Sequence, residues 1–225
     1  MQIKSQMDEA GRFAAQRRLF LRAAGFLPAT AALGLGTLPS MAWAGGQVEE
    51  PLSDSVRTAL SLAVAASSTP PVPIFFDDKS RQYYQAWLAE MSARLAKRRS
   101  FMGQQEREEL LQTVWYEAKR AGLDVALVLG LITVESNFRK YAISRVGARG
   151  FMQIMPFWAR VIGDGQASHL FHMQTNLRFG CVILRHYLDR EKGDEYMALG
   201  RYNGSRGQPQ YPNAVFGAQR QWLYS

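Results

Sequence analysis

Glu135 follows ten uncharged residues, Val125 to Val134 (VALVLGLITV), and Ser136-Asn137-Phe138 come directly after it. A carboxylate at the end of such a run is either a helix terminus facing solvent, an Arg partner, or a group that burial keeps protonated. Desolvation disfavours the ionised form, and a protonated carboxyl near neutral pH is what a general acid requires. Downstream, Val146-Gly147-Ala148-Arg149-Gly150 places two glycines three residues apart, where backbone turns tightly or approaches a ligand. Tyr202-Asn203-Gly204 closes a later helical stretch. His169 and His172 form the one pattern suggesting a metal pair, but no third ligand stands at suitable spacing, so they read as loop histidines. No metal or cofactor is expected. The single cysteine, Cys181, excludes an internal disulfide and lies on an apolar stripe, where it reads as an inert packed thiol.

The elements that must position these residues are mostly helical. Arg81 to Arg99 carries Tyr84, Trp87, Leu88, Met91 and Leu95 at helical spacing, and its Lys97-Arg98-Arg99 end reads as a solvated, dipole-favoured terminus. Glu106 to Ala121 is a second amphipathic helix closed by Gly122. Asp124 is the expected N-cap of the uncharged helix that delivers Glu135; that helix should be central and buried, and is too short to span a bilayer. Phe151 to Ile154 reads as a short extended element. Pro156 opens a helix to about Ile162, which Gly163-Asp164-Gly165 breaks. Asn176 opens a long helix, Asp194 caps the next, and Pro212 to Tyr224 forms the last. The expected fold is a mostly α single domain with one small extended element.

At 225 residues and 47% hydrophobic content the chain can bury one sizeable core. Twenty-seven Lys and Arg against 19 Asp and Glu give a net charge of +8, which suits an anionic partner: nucleic acid, a membrane surface or a polyanionic wall polymer. The charge is spread along the chain and does not choose among these. Residues 1–44 read as an export signal. Arg17-Arg18-Leu19-Phe20-Leu21-Arg22 precedes a mildly apolar stretch, and Ala42-Trp43-Ala44 supplies a small-x-small cleavage site. The Arg pair resembles a twin-arginine signal, with a plain Sec signal as the alternative. The expected organisation is thus residues 1–44 as the signal, 45–104 as a helical and Pro-rich extension, and 105–225 as the functional domain. The exported protein is expected in the periplasm, without a lasting membrane anchor.

Glu135-Ser136, then Gly147-Ala148-Arg149-Gly150-Phe151-Met152-Gln153-Ile154-Met155-Pro156, then Tyr202-Asn203, in this order, resemble the soluble lytic transglycosylases of glycoside hydrolase family 23. The resemblance runs from roughly Glu106 to Trp222. It implies a lysozyme-like α+β domain that acts on peptidoglycan glycan strands and uses no cofactor. Carried over residue by residue, Glu135 is the sole catalytic acid and later base at the bond between N-acetylmuramic acid and N-acetylglucosamine. Ser144 contacts the muramyl N-acetyl group, and Gln153 and Met155 line the saccharide cleft. Tyr202 stands beside the catalytic carboxylate, and Asn203 stabilises that turn or the substrate. Ser144 also reads as a turn serine, Met155 as a core methionine and Asn203-Gly204 as an ordinary turn.

No second acid stands in a motif: Asp164 lies in a Gly-rich loop, and Asp189, Glu191 and Glu195 fall on solvated helix ends. The resemblance therefore implies a substrate-assisted route ending in a 1,6-anhydro ring rather than two-carboxylate hydrolysis. A hydrolytic muramidase of the same fold and a non-catalytic wall-binding scaffold are the rivals. Phe151, Trp158, Arg201 and Gly204-Ser205-Arg206 depart from the family pattern, and the last two leave the cleft wall near Tyr202 open to question.

Overall fold

A computed structural model describes residues 47–65 and 73–224. The expected export signal and most of the Pro-rich connector lie outside the described residues. Within them the chain forms α1 (Asp54–Ala65), α2 (Asp78–Arg98), α3 (Gln104–Arg120), α4 (Val125–Glu135), α5 (Pro156–Ile162), α6 (Met173–Arg190), α7 (Glu195–Asn203) and α8 (Gln210–Gln219). Two 3₁₀ turns, Ala167–Phe171 and Arg220–Trp222, complete the list. Residues from Gln47 onward belong to one compact unit, into which α1 and α2 of the N-terminal extension are packed.

The uncharged helix α4 is the centre of that unit. The Asp124 side chain accepts a hydrogen bond from Leu127 N at 2.7 Å, satisfying a first-turn donor. Every α4 residue except Thr133 and Val134 is buried. α3 presents Leu110, Leu111, Val114 and Ala118 to the core, and α8 lies along the other side of α4. At Gly130 a Cβ would stand 2.7 Å from Gln219 N and 2.9 Å from Val215 O, so only glycine permits this approach. α2 and α3 are joined by aromatic contacts, with Trp87 and Trp115 at 4.5 Å between ring centroids.

Several elements differ from their sequence reading. The long helix begins at Met173, one turn before Asn176, because Gln174 turns inward and donates to Glu117 Oε1 at 2.6 Å. α8 begins two residues before Pro212, which sits in the first turn where its missing N–H costs nothing. The end of the chain tightens into the 3₁₀ turn rather than continuing as α-helix to Tyr224. Residues 151–154 are not an extended strand. Gly150 (φ 76°) and Gln153 (φ 50°) fold the segment back on itself, leaving only the isolated antiparallel bridges Ile143–Arg149 and Arg149–Ile154 among the described residues. The α+β expectation reduces, on its β side, to those two bridges.

The basic end of α2 is only partly solvated. Lys97 is exposed, but Arg98 is half-buried: Nη1 donates to Asn137 Oδ1 at 3.1 Å, and its guanidinium lies 6.0 Å from the Trp222 ring. Burial is also unexpected at Glu117, which is 1% exposed and accepts from Gln174 and from Arg178 (Nη2 at 2.9 Å). A carboxylate at that depth is tolerated because charged donors surround it. Trp158 packs in the core and donates its indole N–H to Gln47 Oε1 at 3.1 Å. Glu50 pairs with Arg190 and Arg201, so the segment before α1 is strapped across α6 and α7.

Candidate active site

Glu135 is the last residue of α4 and is 2% exposed. Burial pushes its pKa up to about 8, against a smaller lowering by a hydrogen bond from Tyr211. The Tyr211 hydroxyl, on the first turn of α8, donates to Glu135 Oε1 at 2.5 Å. Glu135 Oε2 is buried too and has no hydrogen-bond partner among the described residues. The carboxyl is thus oriented through one oxygen while the other is uncommitted.

The chain turns sharply after this carboxyl. Asn137 (φ 48°) and Phe138 (φ 59°) both occupy the left-handed region, which is costly for a bulky side chain. Packing holds them there. Phe138 is fully buried against Trp222, with ring centroids 5.2 Å apart, and Trp222 donates to Thr133 Oγ1 at 2.9 Å. Ser136 Oγ donates to Phe151 O at 2.7 Å, fastening the end of α4 to the glycine-rich loop.

Asn176 organises that loop from below. Its Oδ1 accepts from Met152 N at 2.8 Å, while Nδ2 donates to Leu170 O at 2.7 Å and Arg149 O at 2.9 Å. At Gly150 a Cβ would meet this amide at 2.3 Å, and the positive φ excludes most side chains as well.

The sequence-derived residues divide into two groups. Tyr202 is fully buried; burial first, and the charge of Glu135 second, raise its pKa, and its hydroxyl donates to Met152 O at 2.8 Å. Glu135, Tyr202 and Tyr211 form the buried centre. Ser144, Gln153, Met155 and Asn203 make their contacts with the neighbouring loops and the core rather than with Glu135. Ser144 Oγ accepts from Ala148 N at 3.0 Å. Gln153 Nε2 donates to Gly150 O at 2.9 Å and Ala142 O at 3.2 Å. Met155 precedes α5 and is partly buried against the core. Asn203 Nδ2 donates to Ser205 Oγ at 3.0 Å.

The departures near Tyr202 have a structural answer. Arg206 forms a two-bond contact to Glu191, at 2.9 Å each, and Arg201 bonds the same carboxylate. Glu191 is therefore a clamp for the turn after α7 rather than a solvated helix end; these contacts, Arg206 first, hold its pKa down at about 2. Asp164 pairs with His169, and Asp189 with Arg185. His169 and His172 stack at 5.1 Å.

Tyr211 and Asn176 are the residues that sequence reasoning missed. Asn176 carried a usable signal, a polar residue on the buried stripe of α6; Tyr211 carried none.

Fold and site together define a helical domain with one buried carboxylic acid at the end of its central helix. The family model described as the transglycosylase SLT domain matches residues 112–224, half of the chain, and the chain belongs to that family. It is 34% identical over 97 residues to a transglycosylase of Enterobacteria phage PRD1, covering 43% of this chain and 35% of that one. It is 34% identical over 105 residues to the membrane-bound lytic murein transglycosylase C of Actinobacillus pleuropneumoniae, covering 40% and 29%. The chain thus spans about a third of the length of these curated relatives. A solved lytic transglycosylase Slt of Pseudomonas aeruginosa is similar at 24% identity and TM-score 0.40, over 65% of this chain and 27% of that one. No helix among the described residues is long and apolar enough to cross a membrane.

Proposed function

We propose that this chain is a peptidoglycan lytic transglycosylase that cleaves the β-1,4 bond from N-acetylmuramic acid to N-acetylglucosamine without water, using Glu135 as its only acid and base. The observation that carries this reading is one buried carboxyl with Oε1 held by Tyr211 and Oε2 without a hydrogen-bond partner among the described residues. A carboxyl whose pKa is raised to about 8 keeps its proton at neutral pH and has an oxygen from which to deliver it.

Glu135 gives that proton to the glycosidic oxygen as the bond to the muramyl anomeric carbon breaks. The substrate's own 2-acetamido oxygen closes on that carbon. The resulting Glu135 carboxylate takes the proton of the C6 hydroxyl, whose oxygen displaces the acetamido group and closes the 1,6-anhydro ring. The carboxyl ends protonated, so the cycle balances. Proximity of the C6 hydroxyl and exclusion of water favour ring closure over hydrolysis, and the buried Tyr202 and Tyr211 rings supply that dry wall.

Ser144 supports the muramyl site: its Oγ accepts from Ala148 N and still has an O–H to donate to an N-acetyl carbonyl. The remaining oxygens of Gln153 and Asn203 and the partly buried Met155 side chain line the cleft in this reading. The domain organisation with residues 1–44 as a removable signal, and a periplasmic location, complete it.

Digestion of purified peptidoglycan by the protein, followed by mass analysis of the released muropeptides, tests the proposal. Anhydro products, one water lighter than reducing ones, are expected. Reducing ends point to a muramidase, and release of nothing to a binding scaffold.

A further inference from the structure

A groove of about 480 Å³ lies between the α2–α3 loop and the segment leaving the turn after Glu135. Its floor includes Phe138, three residues beyond Glu135. Two aromatic rings line it in full view of solvent: Phe101 is 99% exposed and Tyr141 is 71% exposed. Large apolar rings are costly to leave in water without a purpose, and a pair on one groove marks a contact surface. The Tyr141 ring has Phe171 at 6.0 Å between centroids and Lys140 Nζ at 5.5 Å from its own centroid. Arg99 and Arg139 add two further cations to the groove, against one acid, Glu106.

We infer that this groove is an accessory subsite for the peptidoglycan strand, in which Phe101 and Tyr141 stack on pyranose faces while Arg139 and Lys140 pair with carboxylates of the lactyl-peptide stem. The inference rests on the function proposed above and extends it to a second contact with the same polymer. The groove's concave shape, and its continuity with the turn after Glu135, favour a chain threaded past that residue over a flat surface. Its chemistry matches a polymer that joins apolar sugar faces to carboxylates. Glu106 on its rim opposes an anionic bilayer. Phe101 precedes residue 112, where the family match begins, so one wall of the groove belongs to this chain's own extension. Arg139 is already set in place, since its Nε donates to Ser136 O at 3.0 Å.

The test measures co-sedimentation of the protein with insoluble peptidoglycan in a Glu135→Gln background, so that turnover does not erode the sample. Phe101→Ala combined with Tyr141→Ala removes exposed rings only, and the fold is expected to be retained. The double change should raise the half-saturating peptidoglycan concentration roughly tenfold, the size of one lost anchor contact. Lys140→Gln should weaken binding to intact peptidoglycan and have no effect on binding to chitin, a β-1,4 N-acetylglucosamine chain that carries no lactyl group, no peptide and no carboxylate. Unchanged binding in the double variant overturns the inference. So does a loss seen with phosphatidylglycerol vesicles but not with peptidoglycan, which assigns the groove to a membrane. Anhydro products from the protein with Glu135 intact, alongside unchanged binding in the double variant, remove the subsite and leave the proposed function standing.

Discussion

The Tyr211 hydroxyl donates to Glu135 Oε1 across 76 residues of sequence, and it acts against the dominant effect at that carboxyl. Burial raises the pKa of Glu135 while this bond lowers it, so Tyr211 both aims the group and limits how far the shift goes. Tyr211→Phe should therefore move the alkaline limb of the pH–activity profile to higher pH. It should also cost about 1 kcal/mol of stability. A profile recorded from about pH 5 to 10 checks this; an unmoved limb would mean that the bond does not act on the titrating group.

Glu135→Gln separates chemistry from stability. Activity should fall by roughly two to four orders of magnitude, the usual worth of a general acid. Stability should change in the opposite direction, depending on pH. The folded-state pKa is about 8 against an ordinary value of 4.5. Between these the folded protein binds more protons than the unfolded one, so stability present below about pH 4.5 is lost as pH rises through 8. The variant lacks this loss. Urea unfolding should find the two proteins equal near about pH 4, and the variant more stable by a few kcal/mol near about pH 9.

Gly130→Ala tests the approach of α8 to α4. The added methyl would press on the backbone of Val215 and Gln219, which cannot yield as a flexible side chain does. A loss of about 1–3 kcal/mol is expected. Because Tyr211 rides on α8, activity should fall with it even at temperatures where the variant remains folded. Thermal melting and turnover measured on one sample decide this.

Asn176→Ala should cost about 2–3 kcal/mol, since it leaves the buried Met152 N–H and two backbone carbonyls without their partner. It should also slow turnover by loosening the loop that carries Met152 and Gln153, although Asn176 touches no proposed substrate position. Calorimetry paired with kinetics on soluble glycan fragments reads both effects.

What the sequence disclosed follows the range of its signals. The uncharged run before Glu135, the Asp124 cap and Pro156 at a helix start are local, and each appears in the fold where its chemistry puts it. Cys181 on a buried stripe is equally local. The partners of the central residues are not. Tyr211 opens a helix of modest polarity, and no spacing rule links it to Glu135. Glu117 and Arg178 are 61 residues apart and meet only because α3 packs on α6. The segment around Met152 had the length of a strand. Positive φ at Gly150 and Gln153, together with the Asn176 amide, turned it into a loop instead. Glu191 looked like a solvated helix end because its two arginines lie ten and fifteen residues on, beyond the turn they close.

The central claim is that burial keeps one carboxyl protonated at neutral pH so that it can act as the acid. Side-chain ¹³C NMR of the protein with labelled glutamate, titrated from about pH 4 to 10 and assigned with Glu135→Gln, measures that directly. Glu135 should titrate near pH 8, together with the loss of activity at alkaline pH. A Glu135 carboxyl that titrates near its ordinary value of 4.5 would contradict the account.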